Sequence, residues 1–275
     1  MKPRKITFII PGAGRSGTTS LFEYLGQHPN IYTPRIKEIR YFSDWQKKGI
    51  EWYHSHFSDW TVEKEAGEGS TKYMYSKNAA KRIYNYNEKI KLLFILRDPV
   101  ERAISNYKWE VARVGENRRF GNIIPDRYIE PSMYGKHMCR FLKYFERNNI
   151  KVILFENFKE NPQRELKKVF RFLGLDENVH IKTDYKKNKY YQPPISMWLQ
   201  RKIRSKLDSS FGEEYLYRRS KNALKKIISY VNHAVKVREF PKIREKEKNK
   251  ARKYVSEDIK NLEVMLGKNL DRWKT

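Results

Sequence analysis

Ile6-Thr7-Phe8-Ile9-Ile10-Pro11-Gly12-Ala13-Gly14-Arg15-Ser16-Gly17-Thr18-Thr19-Ser20-Leu21 is the stretch whose reading decides the fold. A largely apolar run, Ile6 to Ile10, stops at Pro11, passes through Gly12, Gly14 and Gly17, and resumes with the amphipathic spacing Leu21, Tyr24, Leu25. That pattern reads as a buried strand, a glycine loop and a helix. Glycines let the backbone take positive φ and point successive N–H groups inward, which makes the loop a nest for anionic oxygens at a helix N-terminus. A phosphorylated or sulfated ligand is expected there.

The spacing resembles a Walker A loop and departs from it at one informative place. After Gly17 a Walker loop carries the lysine that reaches the β and γ phosphates. Here the position is Thr18, and the cation lies within the loop as Arg15. A metal-bound nucleoside triphosphate is therefore disfavoured. A donor with fewer phosphates suits Arg15, the backbone amides of the loop around Gly17, and the hydroxyls of Ser16, Thr18 and Thr19.

Working outward, the chain of 275 residues is long enough for one sizeable core. With 39% apolar and 14% aromatic residues it is not a disordered chain. No run approaches the roughly 18 apolar residues of a membrane span. Met1-Lys2-Pro3-Arg4-Lys5 leads straight into a strand and lacks a signal peptide's pattern, so the cytosol is the expected compartment. The one cysteine, Cys139, rules out an internal disulfide and a cysteine-rich zinc site, and reads as a small core residue. His54-x-His56 lacks a third ligand, so no metal site is expected.

The formal charge of +27 is uneven, with 26 Lys and Arg against 11 Asp and Glu from Lys182 onward. Such a field favours polyanions in general, whether nucleic acid, anionic lipid headgroups or acidic glycans, and part of it reads as compositional drift.

Asn30-Ile31-Tyr32 reads as a short second strand, and two further buried-strand signals follow at Lys91 to Leu96 and Lys151 to Phe155. Glu65 to Ser70 adds a short strand and turn. Helices are expected over Thr18–His28, Lys77–Tyr86, Tyr134–Asn148 and from Pro162 to a C-cap at Gly174. The fold class is α/β: a P-loop-like three-layer fold with a central parallel sheet of about five strands flanked by helices, followed by a basic helical C-terminal part. Residues 1–275 are expected to form a single domain, 1–175 as its α/β core and 176–275 as the basic helical region packed on it. The irregular stretch from Val114 to Met133 is expected to be a lid on the substrate side.

Lys91 to Leu96 ends in Arg97-Asp98-Pro99. Asp98 is placed to cap the next helix and Pro99 to open it, which leaves Arg97 at the carboxyl end of a central strand, where ligands of such sheets bind. Arg97 with Ser105, which is placed to share a helix face with Arg102, would form a second anion clamp opposite the glycine loop; the alternative for Arg97 is a surface cation. Lys37-Glu38-Ile39-Arg40 follows the second strand and so lies at the same edge, with Glu38 an acid between cations. Ile195, Trp198, Leu199, Ile203 and Leu207 give an amphipathic helix whose basic face offers weak contact with a membrane surface or an acidic glycan. Lys242 to Lys253 reads as a solvated helix, and Val255 to Trp273 as a closing helix docked on the core.

These residues resemble the sulfotransferases that use 3′-phosphoadenosine 5′-phosphosulfate (PAPS). Pro11 to Leu21 is similar to their 5′-phosphosulfate loop, and Leu96-Arg97-Asp98-Pro99-Val100-Glu101-Arg102-Ala103-Ile104-Ser105-Asn106-Tyr107 to their 3′-phosphate motif. Lys37 to Phe42 looks like the segment that carries the catalytic carboxylate in the carbohydrate branch. Phe172 to Leu175 and Leu262 to Trp273 are weaker matches in the same order.

The resemblance implies Arg15, Ser16, Gly17, Thr18 and Thr19 on the phosphosulfate, and Arg97 with Ser105 on the 3′-phosphate. It further implies Glu38 as the base for an acceptor hydroxyl or amine, with Lys37 beside it, and no metal. Arg15 stands where the carbohydrate branch usually has lysine, and Gly69 and Thr71 where the heparan sulfate enzymes carry lysine and proline. The Golgi enzymes' cysteine pair is absent, Lys186 to Tyr190 stands in its place with Lys187 and Tyr190 on the adenosine, and a soluble, bacterial-type enzyme is implied. The acceptor implied is a carbohydrate or other hydroxylated or anionic molecule. The alternatives are a P-loop kinase or NTPase, and a polyanion-binding protein resting on charge alone; no motif for specific nucleic-acid recognition supports the latter.

Overall fold

The computed structural model describes residues 4–183, apart from 115, 117 and 123, and residues 240–274. Strands β1 (Phe8–Gly12), β2 (Ile31–Tyr32), β3 (Glu65–Gly69), β4 (Lys91–Leu96) and β5 (Ile150–Leu154) form one parallel sheet in the order β2-β3-β1-β4-β5. The helices are α1 (Thr18–Leu25), α2 (Ile50–His54), α3 (Ala79–Tyr86), α4 (Pro99–Val114), α5 (Tyr134–Leu142), α6 (Phe155–Glu160), α7 (Pro162–Leu173) and α8 (Glu245–Leu266).

Both faces of the sheet are covered, so β4 is apolar at consecutive positions instead of alternating. On one face Phe8, Ile10, Leu93 and Ile95 cluster with Leu21 and Leu25 of α1, Phe158 of α6 and Leu166 and Phe170 of α7. On the other, Ile9, Leu92 and Phe94 cluster with Ala103 and Tyr107 of α4, Phe141 of α5 and Val255 and Leu262 of α8. Burying each such side chain contributes about 1.5–3 kcal/mol. The chain thus leaves β1 toward one face and the neighbouring β4 toward the other. The crevice between their carboxyl ends is the switch point at which open α/β sheets bind ligands.

Element ends depart from the sequence reading where a local cause intervenes. Pro11 has no N–H to give a ladder, and it sits within the irregular register between Ile9 and Gly12 against β4, so β1 runs on to Gly12. Helix α1 stops at Leu25 because Gly26 follows as its C-cap, ahead of Pro29. Gly174 ends α7 with φ of 81°, as the sequence predicts.

The stretch expected to be a lid is part of the core. Phe120, Tyr128 and Ile129 are buried within the α4–α8 cluster, and the Gly121 N–H donates to Glu247 of α8 at 2.9 Å. The closing helix docks as expected. Asp258 of α8 is buried and accepts from the first-turn amides of Gly135 and Lys136 in α5 at 2.9 and 2.8 Å. From Glu245 onward the Lys242–Lys253 run opens this same 22-residue helix. The amphipathic pattern from Ile195 to Leu207 lies outside the described residues.

Candidate active site

At the carboxyl end of β1 the backbone does what the sequence predicts at Gly17 but not at Gly14, whose φ is not positive. Gly17 adopts φ of 91°, and a Cβ there would stand 2.9 Å from the Phe155 ring, so glycine is required by conformation and by space. Gly17 has no side chain to cap α1, which leaves first-turn N–H groups for a ligand. Arg15 also takes a left-handed conformation, with φ of 72°. Ser16 and Thr18 are buried, and the N–H groups of Ala13 and Gly14 are used internally, by the Ile95 carbonyl at 2.9 Å and the Tyr75 hydroxyl at 3.2 Å.

The second clamp is arranged differently from the sequence reading. Arg97 and Ser105 make no direct bond: Arg97 Nη2 donates to Glu101 Oε2 at 3.0 Å, while Ser105 Oγ accepts from Arg15 Nη2 at 3.2 Å. Ser105 therefore ties the glycine loop to α4. Arg97 lies over the Phe155 ring, 5.2 Å from its centroid, and Phe155 is also the ring that confines Gly17. Arg102 does not share Ser105's environment; it turns inward to Ser132 Oγ at 2.6 Å and the Tyr128 carbonyl at 2.7 Å. Asp98 caps α4 as predicted, its Oδ1 accepting from the Glu101 N–H at 2.8 Å, and burial raises its pKa.

Glu38 is the most closely held carboxylate at this edge. It accepts from Lys37 Nζ at 3.0 Å, Arg40 Nε at 3.3 Å, Thr71 Oγ1 at 2.8 Å and the Thr71 N–H at 3.1 Å. Burial opposes its ionisation, but the Lys37 charge and the Thr71 bonds outweigh that and hold its pKa below the usual carboxylate value. Glu38 and Arg40 have φ of 66° and 60°; with Arg15 they are the non-glycine residues of positive φ among those described. All three stand at this one sheet edge, where backbone strain of about 1–3 kcal/mol each persists only when neighbours over-determine it.

Sequence reasoning missed two residues here, Thr71 and Glu68. The Thr71 amide and hydroxyl, supplied by the turn after β3, orient Glu38. Glu68, fully buried in β3, accepts from Ser70, Tyr73 and Tyr53 hydroxyls at 2.5, 2.6 and 3.2 Å. The available signal was an ionisable residue inside a strand of small residues, Glu65-Ala66-Gly67-Glu68-Gly69. Tyr32, Pro34, Arg35, Ile36, His56 and Asp59 line a surface pocket of about 210 Å³ at the end of β2. Lys187 and Tyr190 lie outside the described residues.

A family model described as a sulfotransferase domain matches residues 5–233. The chain belongs to the sulfotransferase family. Sulfotransferases of this family draw on PAPS. Over 188 residues the chain is 31% identical to heparan sulfate glucosamine 3-O-sulfotransferase 5 of Homo sapiens, covering 62% of this chain and 54% of that protein. Over 114 residues it is 40% identical to the membrane-associated sulfotransferase kil1 of Dictyostelium discoideum, covering 40% of this chain and 24% of that protein. The chain thus spans about a quarter to a half of the length of these relatives. A solved sulfotransferase from Alicyclobacillus acidocaldarius shares the fold, with a TM-score of 0.74 over 99% of this chain and 100% of that one, at 22% identity.

Proposed function

We propose that this sulfotransferase moves the sulfuryl group of PAPS to a hydroxyl or amine of a carbohydrate or other small acceptor, with Glu38 taking the proton. The observation that carries this reading is the place of Thr71. Its hydroxyl holds Glu38 at 2.8 Å and lies 3.6 Å from the point where Gly14 would carry a Cβ, so the base stands against the donor loop.

In this reading Arg15, Ser16, Gly17, Thr18 and Thr19 hold the 5′-phosphosulfate. Arg97 and Ser105 meet the 3′-phosphate, and Lys187 and Tyr190 the adenosine. The acceptor oxygen forms its bond to sulfur as the bond from sulfur to the 5′-phosphate oxygen breaks. Negative charge grows on the leaving phosphate, where the Arg15 guanidinium stabilises it. Glu38 is ionised at neutral pH and only weakly basic, which suits a proton that leaves once the new S–O bond has acidified the acceptor. Lys37 orients the carboxylate. The carbohydrate acceptor is supported by the name of the heparan sulfate relative, and the Arg35-lined pocket at the end of β2 offers room for a further part of such an acceptor.

Thermal denaturation separates this reading from its alternatives. 3′-Phosphoadenosine 5′-phosphate at 100 times its dissociation constant should add about 2.7 kcal/mol of stability. Mg-ATP and a DNA oligomer should add none. Stabilisation by Mg-ATP without the bisphosphate would point to a kinase or NTPase, and by the oligomer alone to a polyanion-binding protein. Labelled PAPS with a panel of glycans, lipids and small metabolites then identifies the acceptor.

A further inference from the structure

Glu68 is a completely buried carboxylate that the transfer reaction does not touch, yet its bonds lead to the base. Oε1 accepts from Tyr73 and Tyr53 of α2, and Oε2 from Ser70. The same Ser70 oxygen accepts the Arg40 N–H at 2.9 Å, so its own proton is committed to Glu68. Arg40 Nε then reaches Glu38 Oε2. The Glu38 N–H donates to the carbonyl of Gly69, the residue next to Glu68, at 2.9 Å. Segment 38–40 is thereby pinned at both ends on the end of β3, with Ile39 buried between them.

From this arrangement we infer that Glu68 is a positioning residue for Glu38: through Ser70 it fixes Arg40 and the start of the turn that carries Thr71, a role that rests on Glu38 being the base. The chemistry requires a group that only accepts. Three hydroxyls already donate to Glu68, and a carboxylate satisfies all of them, whereas an amide would turn two N–H groups against a donor. Two left-handed residues, Glu38 and Arg40, are kept in place by these bonds, which explains why a strained segment can present a carboxylate in one orientation.

The network also carries a pH signature. Burial, with a smaller contribution from the Glu38 charge, pushes Glu68 up to about 7 against the three hydroxyl bonds that lower it. The ionisable groups facing it are Glu38, Tyr53, Tyr73 and, more weakly, Tyr86 of α3. When Glu68 takes up a proton, one of the donating hydroxyls must turn away. Transfer is therefore expected to fall as pH drops through about 7, well above the range in which Glu38 itself titrates.

The test compares full-length wild type, Glu68→Gln, Ser70→Ala and Glu38→Gln. It uses carbon-13 NMR titration of the glutamate carboxyls, calorimetric binding of 3′-phosphoadenosine 5′-phosphate, and labelled-sulfate transfer from PAPS to a heparan sulfate oligosaccharide. Glu38→Gln assigns the Glu38 resonance. In Ser70→Ala, which removes the acceptor of the Arg40 N–H at every pH, the Glu38 midpoint should move up by about one pH unit as its donors loosen; in Glu68→Gln it should stay near wild type, because Glu68 is already protonated where Glu38 titrates. Transfer by both variants should fall roughly 10- to 100-fold, while the bisphosphate binds as in wild type. Glu68→Gln should also lose the wild-type limb near pH 7. If Glu68→Gln does not fold, Ser70→Ala decides, because it leaves the Glu68–tyrosine bonds in place. A wild-type Glu38 midpoint in Ser70→Ala overturns the inference, whether or not the oligosaccharide is sulfated. Wild-type transfer by Glu38→Gln instead overturns the base assignment, independently of Glu68.

Discussion

Two loops meet at the carboxyl edge of this sheet, and they use their hydrogen bonds in opposite ways. The β1–α1 loop ends at a helix whose N-cap, Gly17, cannot cap it, so donors remain for an anionic ligand. The Glu38 segment is closed on itself: its carboxylate accepts from Lys37, Arg40 and Thr71, and its backbone is tied to Gly69 and Ser70. In the proposed reading, one loop is completed by the sulfate donor and the other holds the proton acceptor still. The division suits a transfer in which the donor arrives and leaves while the base stays in place.

Changes on the donor side should have the largest effects. Arg15→Ala removes the cation at the developing phosphate charge and frees Ser105; transfer is expected to fall about 10²- to 10³-fold, measured with labelled PAPS. Transfer close to wild type would remove Arg15 from the leaving-group role. Arg97→Ala should weaken 3′-phosphoadenosine 5′-phosphate roughly 10- to 100-fold by calorimetry, the range for a lost charge-assisted bond. Unchanged affinity would leave Arg97 as the partner of Glu101 and Phe155 only.

Changes on the base side should appear first in pH behaviour. Thr71→Pro deletes both the amide and the hydroxyl that depress Glu38, so the acid limb of transfer due to Glu38 should move to higher pH. The sign follows from a folded-state pKa held below the unfolded value: the stability Glu38 contributes is present above about 4.5 and lost as pH falls through its folded value. An unmoved acid limb would show that Lys37 alone sets Glu38. The smallest effect belongs far from both loops. Asn161 caps α7 by accepting from the Arg164 N–H at 3.0 Å, and Asn161→Ala should cost about 1 kcal/mol in denaturant unfolding without altering transfer.

The two loops were unequally legible in the sequence. The donor loop announces itself because strand, glycines and helix are each dictated by nearest neighbours, and the Arg97-Asp98-Pro99 cap is equally local. The link from Arg15 to Ser105 spans 90 residues and depends on α4 leaving the opposite face of the sheet. Strand β3 hid its role because it is not apolar. Gly67 is there because a Cβ would stand 2.4 Å from the Phe8 carbonyl, and Glu68 is buried only by virtue of hydroxyls from two other segments.

The departures at Gly69 and Thr71 also make sense only in three dimensions. The position of a Gly69 Cβ lies 3.3 Å from Lys37 Cε, so Lys37 occupies the space a side chain on β3 would need. Thr71 donates two bonds that a proline, lacking N–H and hydroxyl, could not.

The measurement that tests the account most directly is labelled-sulfate transfer from PAPS by Glu38→Gln, paired with calorimetric binding of 3′-phosphoadenosine 5′-phosphate to the same protein. The account predicts transfer reduced about 10²- to 10⁴-fold with bisphosphate affinity unchanged, because the base and donor loops are separate structures. Transfer equal to wild type, or loss of bisphosphate binding along with activity, would contradict it.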